Sequence, residues 1–330
     1  MTPALHRRSV VTAKDALAVV GLTVDELVAC VDREPAEGPR YLVGSLASGF
    51  GNDHSDVDVH ILVPGLERPV GPRLHHAADV TVDVELYPAA WPAETVARVG
   101  AVPTADWLLG RIAMDRVVDG GQRRWLCRWM HAVPLDPQDG PVFSDEEIAV
   151  LLPALVREAH DKLLVDAAVA LLADAAGRRG AVAYPESARD YLWARAARGL
   201  LELFCRAAGD VTTGEKWLPA RARRLGLAVP PPGRCADDAA FVLSGLSWSA
   251  ADIMAAVHIH PASDAAPVEL AGRRFLANRH DRLLETWTSA SGALGAALEE
   301  HEPETLLDAV RSTSCDLVVD EAFVRERLAA

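Results

Sequence analysis

Gly44-Ser45-Leu46-Ala47-Ser48-Gly49-Phe50-Gly51-Asn52-Asp53-His54-Ser55-Asp56-Val57-Asp58 is the stretch that decides how the rest of this chain is read. It lies between two short apolar runs, Tyr41-Leu42-Val43 and Val57 to Val63, which both read as strands. Pro64 and Gly65 end the second. Side chains two apart on a strand point to one face. Asp56 and Asp58 therefore stand side by side at a strand start, while Val57, Val59, Ile61 and Val63 turn the other way into a core. Two adjacent carboxylates repel unless a cation lies between them. Hard oxygen ligands in that arrangement suit magnesium, which keeps several waters and takes further ligands from substrate phosphates.

The neighbouring segments extend the pattern. Val80 to Tyr87 alternates apolar and polar residues and reads as a third strand, closed by Pro88. Asp83 and Glu85 share its polar face, opposite Val82, Val84 and Leu86. If this strand lies beside the Asp58 strand, a third carboxylate, Asp83 or Glu85, meets the pair. Carboxylates holding two metal ions about 4 Å apart are the arrangement for in-line phosphoryl or nucleotidyl transfer. Upstream, a strand ending in Gly44 and turning into a short helix exposes backbone N–H groups to a phosphate. Glycine lets the phosphate approach the main chain, and the Ser45 hydroxyl adds a donor. No Gly-Lys-Ser or Gly-Lys-Thr follows, so this is not a P-loop.

Taken together, Gly44-Ser45, a spacer with Gly49, Ser55-Asp56-Val57-Asp58, a hydrophobic strand and Val82-Asp83-Val84 resemble the DNA polymerase β-type nucleotidyltransferase superfamily. The resemblance covers roughly residues 25 to 90. It implies Gly44 and Ser45 at the nucleotide phosphates, with Ser55 of the same motif counted among the nucleotide-binding residues. It implies Asp56 and Asp58 as metal ligands, two magnesium ions, and Asp83 as the third carboxylate, a ligand that also helps deprotonate the acceptor hydroxyl. Downstream, Tyr191, Arg195, Arg198 and Glu202, followed by Gly214-Glu215-Lys216-Trp217, are similar to the helical domain of aminoglycoside (kanamycin-type) nucleotidyltransferases. That similarity implies Lys216 as a triphosphate contact, with Arg195 and Arg198 either adding charge to the cleft or forming an ordinary solvated helix face.

The rest of the chain sets the frame. Its 330 residues suffice for two or three domains, each with its own core. The expected fold is α+β: a small mixed sheet with flanking helices in residues 1–142, a helical substrate-binding domain in 143–233 and a C-terminal accessory region in 234–330. Thr23 caps a helix in Gly21 to Arg33, Glu67 to Ala78 reads as a polar turn region, and a helix begins near Pro92. Ser144 opens a helical stretch continued by Leu163–Arg178, Ser187–Ala208 and Glu215–Leu225, and Pro230 to Gly233 breaks it. Val257–Ile259 and Arg273–Leu276 read as strands, Asp281–Glu300 and Glu321–Leu328 as helices.

No apolar run approaches the length of a membrane span, and the first 20 residues do not read as a signal peptide, which points to the cytoplasm. The odd, scattered cysteines (Cys30, Cys127, Cys205, Cys235, Cys315) indicate neither a zinc site nor a disulfide framework. His258 with His260, and His75 with His76, read as satisfied or exposed pairs, and Trp125, Trp129 and Met130 as core. A net charge of −14 argues against a long polyanion as partner but not against a metal-neutralised triphosphate. The expected activity is transfer of AMP from ATP to a hydroxyl of a small-molecule acceptor, with release of pyrophosphate. The rivals are transfer to RNA or protein, and a nucleotide-binding regulatory or antitoxin-like protein without turnover.

Overall fold

The computed structural model describes residues 11–108, 114–118, 120–180, 184–212, 214–229, 235–262, 265–270, 273–277, 283–285, 292–312 and 315–329. Helix α1 (Ala13–Ala18) is followed by α2 (Val24–Val31), which begins where its cap dictates. Thr23 accepts a hydrogen bond from the Glu26 N–H and Glu26 reaches back to the Thr23 N–H, a reciprocal box that satisfies two otherwise orphaned donors. Strand β1 (Arg40–Val43) runs into α3 (Gly44–Ala47), and β2 (Val57–Val63) follows.

Glu67 to Ala78 was expected as a polar turn region; it is instead largely a strand, β3 (Val70–Ala77). The reason is its place at the sheet edge. An edge strand open to water needs no apolar alternation, and nearly all of β3 is exposed. Its polar side chains have a tertiary partner, because Arg73 and His75 both reach the buried carboxylate of Glu34. Strand β4 (Val80–Pro88) completes the expected trio, and α4 (Trp91–Gly100) starts with proline in its first turn. Helices α5 (Thr104–Leu108) and α6 (Gly120–Trp129) and strand β5 (Val133–Pro134) lead to the long α7 (Asp145–Arg178). Ser144 and Glu147 form a second capping box at its start.

The mixed sheet has the order β3-β4-β2-β1-β5. β2 and β4 are parallel neighbours, and the other pairings are antiparallel. Strand parity sorts the side chains. Val57, Val59 and Ile61 of β2, with Val82, Val84 and Leu86 of β4, pack with Leu17, Leu27, Leu42 and Leu46 in one core. The opposite face carries Asp58 and His60 from β2 and Asp83, Glu85 and Tyr87 from β4. At the far end of that face lies an aromatic cluster in which Tyr87 meets Trp91, Trp125 and Trp129, and Trp129 meets Phe143. Trp125, Trp129 and Met130 are buried, in keeping with the reading of them as core.

The remaining elements are α8 (Glu186–Ala207), α9 (Leu218–Arg224), α10 (Cys235–Leu246), α11 (Ala250–Ala256), β6 (Val257–Pro261), β7 (Ala266–Leu270), β8 (Arg273–Ala277), β9 (Leu283–Glu285), β10 (Gly292–Ala293), α12 (Leu294–Glu300), α13 (Pro303–Arg311), β11 (Cys315–Val319) and α14 (Glu321–Ala329). Asp281–Glu300 was expected as one helix; its described part holds two short strands, and the helix begins only at Leu294. β9 and β10 are drawn into separate small sheets, where pairing with β8 and β6 overrides local helical preference. The break at Pro230 to Gly233 lies outside the described residues.

By contact the chain divides into two compact units: residues 1–104, 114–155 and 205–227, and residues 105–113, 156–204 and 228–330. The first holds the five-stranded sheet. The second has an alanine- and leucine-rich core drawn largely from α7, α8 and the elements from α10 onward. Both helices α7 and α8 supply residues to each unit. Among the described residues no single helix is long and apolar enough to cross a membrane.

Candidate functional site

The site begins where β1 ends. Gly44 takes a φ of +75°, a left-handed conformation that glycine adopts without penalty. A β-carbon there would fall on Oδ2 of Asp58, so the main chain at Gly44 is packed directly against that carboxylate. The turn is wrapped tightly. The N–H groups of Phe50 and Gly51 both donate to the Ser45 carbonyl, at 2.9 and 3.0 Å. The Ser48 hydroxyl donates to the Gly44 carbonyl at 2.8 Å.

Ser55 closes the following loop. Its hydroxyl accepts from the Asn52 N–H at 2.9 Å and donates to Asn52 Oδ1 at 3.3 Å. This loop delivers Asp56, which is exposed, to the edge where Asp58 begins its strand.

Asp58 and Asp83 are direct partners across the parallel β2–β4 ladder. Burial and the surrounding negative charge act on both. Burial pushes the Asp58 carboxyl above its usual range; the Arg128 guanidinium opposes this, and Asp83, Glu85 and Asp56 reinforce it. Asp83 is likewise raised, first by burial, then by Asp56 and Glu85, against Arg128. The three aspartates and Glu85 thus share one electrostatic neighbourhood. Oδ1 of Asp83 is buried and accepts no hydrogen bond from the described residues. Among the described residues no three His, Cys, Asp or Glu side chains stand, as placed, where together they could hold a metal ion.

Glu85 is differently placed. Tyr87 donates its hydroxyl to Glu85 Oε2 at 2.6 Å, and Arg128 Nη1 lies 3.8 Å from Glu85 Oε1. The same Arg128 nitrogen lies 3.8 Å from Asp58 Oδ1. His60, 1% exposed, stands 3.9 Å from Glu85 Oε1 through Nε2. Trp129 donates its indole N–H to His60 Nδ1 at 2.8 Å, so the imidazole proton belongs on Nε2, facing Glu85. Burial, aided by Arg128, drives the His60 pKa down to about 3, and the ring is neutral. Arg128, His60 and Tyr87 escape a reading of the sequence. Parity puts His60 and Tyr87 on the acidic face, but nothing local announces that α6 returns to it.

The segment from Cys205 to Leu227 belongs to the same unit. Trp217 stacks on Phe50, with ring centroids 5.9 Å apart and an interplanar angle of 22°. Lys216 Nζ, on an exposed residue, lies 5.0 Å from the Trp217 centroid, beside the indole that stacks on Phe50. Arg224 packs on Phe50, 4.2 Å from the centroid.

The other candidates have other partners. Arg195 and Arg198 fall in the second unit, where Arg195 donates to the buried Asp166 and the charge of Arg198 acts on Asp238. His258 faces Asp320 at 3.3 Å, and His75 meets Glu34 at 2.6 Å. Cys30, Cys127, Cys205 and Cys315 are buried and form no disulfide. No protein-family model matches the chain, and no curated protein matches its sequence.

Proposed function

We propose that this chain is a magnesium-dependent nucleotidyltransferase of the polymerase-β type, which moves AMP from ATP to a hydroxyl of a small-molecule acceptor and releases pyrophosphate. The observation that carries the reading is the orphaned carboxylate oxygen of Asp83, buried on the face it shares with Asp58 and within the field of Asp56. Anions crowded to that degree without a hydrogen bond are a poor structural device and a good cation site. Hard carboxylate oxygens of this kind suit magnesium. Asp56, Asp58 and Asp83 would hold it. When bound there, magnesium supplies neutralisation of the triphosphate and a lowered pKa for the attacking oxygen.

The chain's own residues do the rest. The Gly44 turn brings backbone within reach of the phosphates, the Ser45 hydroxyl donates to them, and the Lys216 ammonium, beside the Trp217 that stacks on Phe50, supplies a cation for the triphosphate. Besides holding the metal, Asp83 would help take the proton from the acceptor hydroxyl. Glu85 already accepts the Tyr87 hydroxyl and is faced by His60 and Arg128, whereas Asp83 Oδ1 accepts no hydrogen bond from the described residues. That distribution favours Asp83 over Glu85 as the third carboxylate. Ser55, tied into its own loop, serves by setting the approach of Asp56. The charge of −14 favours a small acceptor, and a cationic one above all, over a polynucleotide.

The test is pyrophosphate release from α-labelled ATP and magnesium against a panel of small hydroxyl-bearing acceptors. Acceptor-dependent release, lost in Asp56→Asn and Asp58→Asn without a lower melting point, supports the proposal. Label transferred to RNA or protein moves the activity to a macromolecular acceptor. Saturable ATP binding with no pyrophosphate under any acceptor replaces the enzyme with a nucleotide-binding regulator.

A further inference from the structure

Arg224 Nη1 donates to the Ser48 carbonyl at 3.2 Å across 176 positions of sequence. Its Nη2 donates to Asp210 Oδ2 at 2.5 Å, while the guanidinium plane lies over Phe50. Asp210 is itself held still. Burial opposes its charge, yet Arg221, Arg224 and Thr212 keep its pKa at about 2. Arg221, 1% exposed, donates to Asp210 Oδ1 at 3.1 Å and to the Asp210 carbonyl at 2.6 Å. A fixed anion thus aims a planar fork at the carbonyl that ends α3. From Ser48 the line continues through its hydroxyl to the Gly44 carbonyl, and Gly44 abuts the Asp58 carboxylate.

We propose that Arg224 is a positioning residue for the Gly44–Gly51 turn, fixing from behind the backbone that meets the nucleotide. This rests on reading that turn as the phosphate-binding element. Two features separate it from an ordinary surface ion pair. The guanidinium makes three different contacts at once, to a carboxylate, a carbonyl and an aromatic face, which only a planar fork achieves. Those contacts converge on the loop that carries Phe50, which itself stacks on Trp217. The segment from Cys205 to Leu227 therefore grips the turn at two points, through Arg224 on Ser48 and Phe50 and through Trp217 on Phe50.

The experiment compares wild type with Arg224→Lys, using Arg223→Lys on the exposed neighbouring residue as control. A lysine at 224 keeps the charge for Asp210 but cannot also serve the Ser48 carbonyl and lie over Phe50. Amide hydrogen exchange of the full chain should speed up about tenfold or more at residues 44–51 and stay unchanged at Val57–Val63. The dissociation constant for magnesium and α,β-methylene ATP should rise about tenfold, with Arg223→Lys like wild type. Wild-type exchange at 44–51 in folded Arg224→Lys overturns the proposal. If that variant melts globally, Ser48→Ala removes only the last link and should move both readouts the same way, by about threefold; no change there overturns it equally. A wild-type chain that binds no analogue sinks the nucleotide reading, while the exchange result still decides whether Arg224 holds the turn.

Discussion

Gly44→Ala adds a single methyl group at the point where main chain meets carboxylate. Two costs follow, and they can be separated. Alanine in the left-handed conformation at φ +75° costs about 1–2 kcal/mol of stability. The second cost is positional. The new β-carbon would overlap Asp58 Oδ2, and ordinary contact between heavy atoms needs about 3.5 Å, so carboxylate or turn must give by about 1 Å. A displacement of that size at a reacting centre lowers turnover by roughly 100-fold. Gly65 provides the comparison, because it has φ +74° and open space around its absent β-carbon. Gly65→Ala should therefore lose a few degrees of melting temperature and keep full turnover. Gly44→Ala should lose at least as much and be nearly inactive in magnesium-dependent pyrophosphate release. If Gly44→Ala turns over within about twofold of Gly65→Ala, the contact between turn and carboxylate has no bearing on the chemistry and the reasoning fails.

Other changes read out the neighbouring groups. Asp83 titrates above its usual 3.8 in the folded chain, so folding binds its proton more tightly and the metal-free fold weakens as pH rises past that value. Asp83→Asn should consequently melt at or above wild type at neutral pH, the gain vanishing in acid, while turnover is lost; a lower melting point at neutral pH contradicts the crowding. Trp129→Phe deletes the donor to buried His60 Nδ1 and should cost about 1–3 kcal/mol in urea denaturation; a loss below about 0.5 kcal/mol means another donor replaces the indole. Lys216→Ala should raise the half-saturating ATP concentration about tenfold with no change in melting, and an unaltered ATP dependence removes Lys216 from the site.

What could be read along the chain is whatever depends on neighbours in sequence. Strand parity separates Asp56, Asp58, Asp83 and Glu85 from the valines between them, and a cap at Thr23 announces the start of α2. A glycine before Ser45, at the end of an apolar run, signals a turn whatever the rest of the molecule does. These signals are local because backbone geometry repeats every two or 3.6 residues. Strand β3 had no such signal, since its polar side chains answer to Glu34, some forty residues upstream.

Folding in three dimensions added the relations between distant segments. It made β2 and β4 parallel neighbours in the register that sets Asp58 against Asp83, and it returned Arg128 to face Asp58 and Glu85. It left Asp83 with a buried oxygen that no described residue satisfies. It carried Cys205 to Leu227 back into the first unit, where Arg224 meets Ser48. Such contacts come from the packing of whole elements against one another. Their energy lies in burial, shape and charge across long stretches of chain, which no short window of sequence contains.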